Sequence, residues 1–203
     1  MWVGFVFLKI MKRNIKIILS VLAVLVLIFV GFASLGFYRM YQKNKTDEVI
    51  SRINNTKITI NDVMGENLPP KPEQILNDST VAGLDVNNNK IRDDVELVIF
   101  ERYPNSAKIR AGMLQYAQAL QLQLTEVFNS ETLVKTIQKK NIAFFCLGEA
   151  NDKELYDNQM KIENLVLNIE IRNKKFDEIY EYMTTYSLPK EKECDINILS
   201  LPN

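Results

Sequence analysis

The chain has 203 residues, an apolar fraction of 47% and a formal net charge of zero, with two cysteines and no histidine. The charge is unevenly placed: seven basic residues and no acid precede Asp47, whereas the remainder carries 18 Lys/Arg against 25 Asp/Glu, a net of −7. An acidic globule lacks the basic face that nucleic acid requires, and a chain without histidine has no His-based triad, His zinc site or His general base. No GxSxG, P-loop or GxGxxG stretch is present either, so no catalysis is expected.

Residues 17–38 read IILSVLAVLVLIFVGFASLGFY, 22 positions without a charge. At about 1.5 Å per residue such a helix spans roughly 33 Å, enough for a hydrocarbon core of about 30 Å. Lys12, Arg13 and Lys16 flank one end, and Tyr38, Arg39, Tyr41 and Lys43 the other, as interfacial residues do. A cleaved signal peptide has a shorter apolar core of roughly 7–15 residues. An uncleaved signal-anchor is therefore expected, although Gly31 and Ala33 offer small residues of the kind a cleavage site uses. Met11 opens MKRNIKIILS, a more ordinary basic start than the apolar stretch before it, and is the expected initiator. Lys9, Lys12, Arg13 and Lys16 on one side nearly balance Arg39, Lys43, Lys45 and Arg52 on the other, so flanking charge does not orient the helix.

Residues 39–72 are expected as a stalk. Within it, Lys57–Ile60 alternates two isoleucines with polar residues and reads as a short strand. Pro69, Pro70 and Pro72 then remove backbone donors and favour an extended path.

Residues 85–96 read DVNNNKIRDDVE. Calcium takes six to eight oxygens, and a twelve-residue loop can wrap it from positions 1, 3, 5, 7, 9 and 12. Those positions hold Asp85, Asn87, Asn89, the Ile91 carbonyl, Asp93 and Glu96, the last able to bind through both oxygens. The competing expectation is an Asn-rich turn before an acidic helix start, without metal. Carboxylate chemistry by Asp93, Asp94, Glu96 and Glu101 is a third reading and the weakest, since helix starts are often acidic.

The loop resembles the EF-hand family, and more closely a variant in uncharacterised exported or membrane-anchored bacterial proteins that reads G-x-D-x-N-x-N-G-x-R-D-D-x-E. Gly83, Asp85, Asn87, Asn89, Lys90, Arg92, Asp93, Asp94 and Glu96 carry the resemblance, which extends over about residues 68–125. It implies bound Ca²⁺ and little about biology. Two departures bear on affinity. Lys90 stands where the family has glycine for a left-handed turn, at a cost of roughly 1 kcal/mol. Only Asp85, Asp93 and Glu96 bring formal charge, which points to a dissociation constant of about 10⁻⁴–10⁻³ M. No full amphipathic helix precedes the loop, so a paired, opening EF-hand switch is not expected.

Four helices should follow. The first carries Asp93 and Asp94 in its opening turn and ends at Pro104. Asn105 or Ser106 caps the second, whose Ile109, Met113, Tyr116, Leu120, Leu124 and Val127 step by three and four. Gln115, Gln118 and Gln121 fall largely off that stripe. A third starts near Ser130, and Gly148 is placed to stop it. The fourth is expected to run from Asp152 to Tyr186. Leu155, Ile162, Ile169, Phe176 and Met183 recur every seven residues, with Asn158 and Arg172 interrupting the seam. Packing within the domain is the first expectation for that helix, and homo-oligomerisation the second. The tail from Leu188 to Asn203 reads as irregular. Cys146 and Cys194 form an even pair, the mark of one disulfide in a domain outside the cytoplasm; two unrelated buried thiols are the other reading.

The expected protein is mainly α. It has a cytoplasmic N-terminus (1–16), a transmembrane anchor (17–38), a stalk (39–72) and a small helical bundle (73–203) that contains the loop. It is expected as a single-pass protein of a bacterial inner membrane with a periplasmic domain. It should be stabilised by Ca²⁺ and act through contacts with an unidentified protein. The alternative is a structural subunit that self-associates through 152–186 with a metal-free loop.

Overall fold

The structure is a computed structural model. It describes residues 2–184, 186, 187, 189 and 193–202, apart from the side chains of 2–13, 15, 17, 18 and 152. Leu188 and Asn203, which bound the expected irregular tail, lie outside the described residues. The described chain is helical, with no strand among the described residues. It divides into two compact units, Met1–Asp47 and Glu48–Asn203.

The described residues of the first unit are helical, as part of α1 (Trp2–Asn55). From Leu19 its helix is long and apolar enough to cross a membrane, and none of that apolar stretch is buried in protein. Leu27, Phe29 and Phe32 are each more than 70% exposed, which is tolerable in lipid and costly in water.

The second unit begins at Glu48, well before the expected start at residue 73. The last turns of α1 and the segment after it are not a stalk, because Val49, Ile53, Ile58 and Val63 are buried. Their mixed spacing reads as polar linker in sequence, yet each apolar residue finds the core. The strand expected at Lys57–Ile60 is also absent. Thr59 instead caps a short helix, α2 (Ile60–Met64). Its Oγ1 accepts the Asp62 N–H at 3.2 Å, and Asp62 Oδ2 accepts the Thr59 N–H at 2.7 Å. After the proline run comes a single turn, α3 (Gln74–Asn77).

The bundle proper is α4 (Asp93–Arg102), α5 (Ala107–Glu126), α6 (Ser130–Ala150), α7 (Leu155–Val166) and α8 (Glu170–Ile179). Ser106 caps α5 through the Ile109 N–H, and Asn129 caps α6 through the Thr132 N–H. Helix α5 is central and packs on α2, α4, α6, α7 and α8. Met113, Tyr116, Leu120 and Leu124 are buried as expected, but so are Gln115, Gln118, Gln121 and Gln123. A helix covered on every side has no solvent face for its glutamines. Gly112 lets α6 come close, since a Cβ there would stand 3.0 Å from the Leu147 Cα.

The single helix expected over 152–186 is two. Helix α7 ends at Val166 and α8 starts at Glu170, followed by one 3-10 turn, Tyr180–Tyr182. Asn158 and Arg172, which interrupt the heptad in sequence, are fully buried. The disulfide joins Cys146 on α6 to Cys194. It pins a tail whose Ile198 and Leu201 enter the main core.

Candidate functional site

The loop at 85–96 is held from outside before its own residues are considered. Gly83 enters it at φ +67°, where a Cβ would lie 2.3 Å from the Arg92 Cδ. The position therefore accepts only glycine. Asn77, fully buried, accepts the Leu84 N–H at 3.0 Å, and Leu84 O accepts the Asp93 N–H at 2.8 Å. From α5, Gln118 and Gln121 donate to Asn89 O and Ala82 O at 2.7 and 2.6 Å.

Two buried arginines fasten the far side. Arg92 donates to the terminal carbonyls of α7, Leu165 O at 2.7 Å and Val166 O at 3.0 Å, and pairs with Asp94. Arg172 reaches back from α8 to Asn77 O, Thr80 O, Val81 O and Asp78. Both meet Asn168 Oδ1, at 3.3 Å from Arg92 and 2.6 Å from Arg172. The break between α7 and α8 is thus where the loop is latched to the bundle.

Within the loop, Asp85 accepts the N–H groups of Asn89 and Lys90, each at 3.1 Å. Asn89 Oδ1 accepts the Ile91 N–H at 2.9 Å, and Asp93 Oδ1 accepts the Val86 N–H at 3.0 Å. Glu96 Oε2 takes the Asn87 amide at 3.0 Å. Lys90 sits in a left-handed conformation at φ +65°, and Asn88 at +58°. The expected positions are therefore assembled into one wound loop. The expected helical element follows it as α4, with Asp93, Asp94 and Glu96 in its first turn.

The electrostatics are strained. Asp93 and Glu96 are almost wholly buried, and Asp85 largely so. Burial pushes the Glu96 carboxyl up to about 7, with Asp62 and Asp93 adding to the effect and Asn87 and Asn89 opposing it. Burial also raises Asp85 and Asp93. The ion pair found for these three is weak: Lys90 Nζ lies 4.0 Å from Asp85 Oδ2, with its side chain 40% exposed.

A hard cation suits the donor set, which is all oxygen. Asn87 Oδ1 and Asp93 Oδ2 are buried acceptors without a hydrogen-bond partner among the described residues. Against this, no three His, Cys, Asp or Glu side chains among the described residues stand close enough together to hold an ion as they are. Glu96 is turned onto Asn87, and Asp85 onto backbone. Arg92, Arg172, Asn168, Asn77 and Asp62 were not anticipated as part of this site. Only Arg92 carried a signal, as a position of the resemblance. Compared with protein-family models, curated proteins and solved structures, the chain matches none.

Proposed function

We propose that the chain is a membrane-tethered helical module whose loop 85–96 takes up Ca²⁺ and which acts through protein contacts, without catalysis. The carrying observation is the pair of unpartnered buried acceptors, Asn87 Oδ1 and Asp93 Oδ2, set among three carboxylates whose one ion-pair partner among the described residues is the half-exposed Lys90. Asp85, Asn87, Asn89, the Ile91 carbonyl, Asp93 and Glu96 are the residues that would hold the ion. Leaving these groups without a cation is unfavourable, and the ion would offset that burial. Its role is structural, locking the loop that Arg92 and Arg172 tie to α7 and α8. The domain is assigned to the outer side of a bacterial inner membrane, supported by the Cys146–Cys194 disulfide and the apolar first unit.

The test is thermal unfolding of the full chain in detergent micelles with Ca²⁺ or EGTA, together with Glu96→Gln. Ca²⁺ is expected to raise the melting temperature of the native chain only. Equal melting in both would refute the reading.

One observation favours a second reading. The Lys90 ammonium beside Asp85 and the Asn87–Glu96 hydrogen bond are the contacts of a loop that serves without metal. In that case the chain is a structural subunit, and self-association falls to α7 and α8. Exposed Tyr156 and Met160 lie one turn apart on α7. Sedimentation of the full chain in density-matched detergent decides this, since a monomer at high concentration counts against it.

A further inference from the structure

A cavity of about 550 Å³ in the second unit shares no residue with the loop site. Its wall brings together Lys57 after α1, Gln115 on α5, and Lys135, Gln138 and Lys139 on one stretch of α6, facing Glu193 and Asp195 of the tail. A unit with 18 Lys/Arg against 24 Asp/Glu, a net charge of −6, has gathered three lysines around one concavity.

The carboxylate beside Lys139 is already engaged. Asp195 Oδ2 accepts the Ile58 N–H at 3.1 Å and lies 3.9 Å from Lys139 Nζ, while the Asp195 N–H donates to Gln115 Oε1. Lys139 is 9% exposed and also donates to Thr56 O. Lys57 and Lys135 form no ion pair among the described residues. Lys57 and Lys135 each repel the Lys139 ammonium. Burial pulls Lys139 below the ordinary lysine range, Asp195 opposes this, and Lys57 and Lys135 add to it. An anion in the cavity would relieve both penalties.

We propose that this cavity binds a small polyanion bearing phosphate or carboxylate groups. Lys139 stands at its base, Lys57 and Lys135 close on its charges, and Gln115 supplies an orienting amide, while Gln138 donates its amide to Ser187 O and Oγ at the rim. Lysines are point-charge binders of such groups, and the volume is that of a small-molecule site. Ile53, Ile142 and Pro189 line the same wall and would contact an apolar body.

The test is calorimetric titration of the full chain in a neutral detergent with pyrophosphate and, separately, with citrate. Ionic strength is held constant with sodium chloride. The chain is stripped of calcium with EGTA and then dialysed free of that polycarboxylate, so the result does not depend on the loop binding calcium. Saturable binding of either anion is expected. The preferred one identifies phosphate or carboxylate as the recognised group. The double variant Lys57→Gln, Lys135→Gln changes side chains that are exposed or half-exposed and should keep the fold. It should weaken binding about tenfold. Absence of saturable heat with both anions at about 10 mM overturns the proposal, as millimolar affinity is the least such a site should show. Unchanged affinity in the double variant does the same.

Discussion

Lys90 separates the two readings of the loop at a single side chain. It holds a backbone conformation, φ +65°, that disfavours a side chain by roughly 1 kcal/mol. Its ammonium meets Asp85 at 4.0 Å. Lys90→Gly removes the strain and the competing charge together. It should raise calcium affinity by roughly tenfold, about 1.4 kcal/mol, in a direct titration. A loop stapled by Lys90 would instead gain no affinity. Arg92 sits deeper, and its role was not legible from the residue alone: an arginine beside Asp93 and Asp94 reads as a surface charge. Nothing local shows that its guanidinium crosses to α7. Arg92→Met should destabilise by about 3–5 kcal/mol, measured by chemical unfolding, because Leu165 O, Val166 O and Asp94 lose a buried partner. A loss under about 1 kcal/mol would show that these contacts do not form.

Helix positions were legible at α4, α5 and α6: Pro104 follows the end of the first, Ser106 caps the second and the third starts at Ser130, although it runs past Gly148, the expected stop, to Ala150. The break at 167–169 was not, because Leu167, Asn168 and Ile169 include neither glycine nor proline. The heptad from Leu155 to Met183 runs across it by the spacing of two separate helices. Arg172 decides between these descriptions. In a continuous seam it is a flaw, and Arg172→Leu should stabilise. In the folded unit its side chain is fully buried against Asn77 O, Thr80 O, Val81 O and Asp78. The substitution should therefore cost about 3 kcal/mol or more in unfolding free energy. The glutamines of α5 fail in sequence for a related reason. A stripe of apolar residues shows which face is buried, and it cannot show that the other faces are buried too.

For the whole molecule, the long apolar helix was legible because a membrane-crossing helix needs an uninterrupted apolar run, and residues 17–38 supply one. The stalk was not, since four dispersed residues, Val49, Ile53, Ile58 and Val63, carry its attachment. The disulfide closes a separation of 48 residues and should contribute about 4 kcal/mol in the chain-entropy treatment. Cys146→Ala with Cys194→Ala should lower stability by about that amount in denaturant unfolding, and a loss near zero would refute it.

Calcium holding the loop is most directly tested by the melting temperature of the full chain in micelles at 10 mM Ca²⁺ against EGTA. With a dissociation constant near 10⁻⁴ M, the ion adds about 2.7 kcal/mol, a rise of about 5–10 °C for a unit of this size. The native chain should show that rise and Glu96→Gln should not. Identical melting curves for the native chain in Ca²⁺ and EGTA would contradict it.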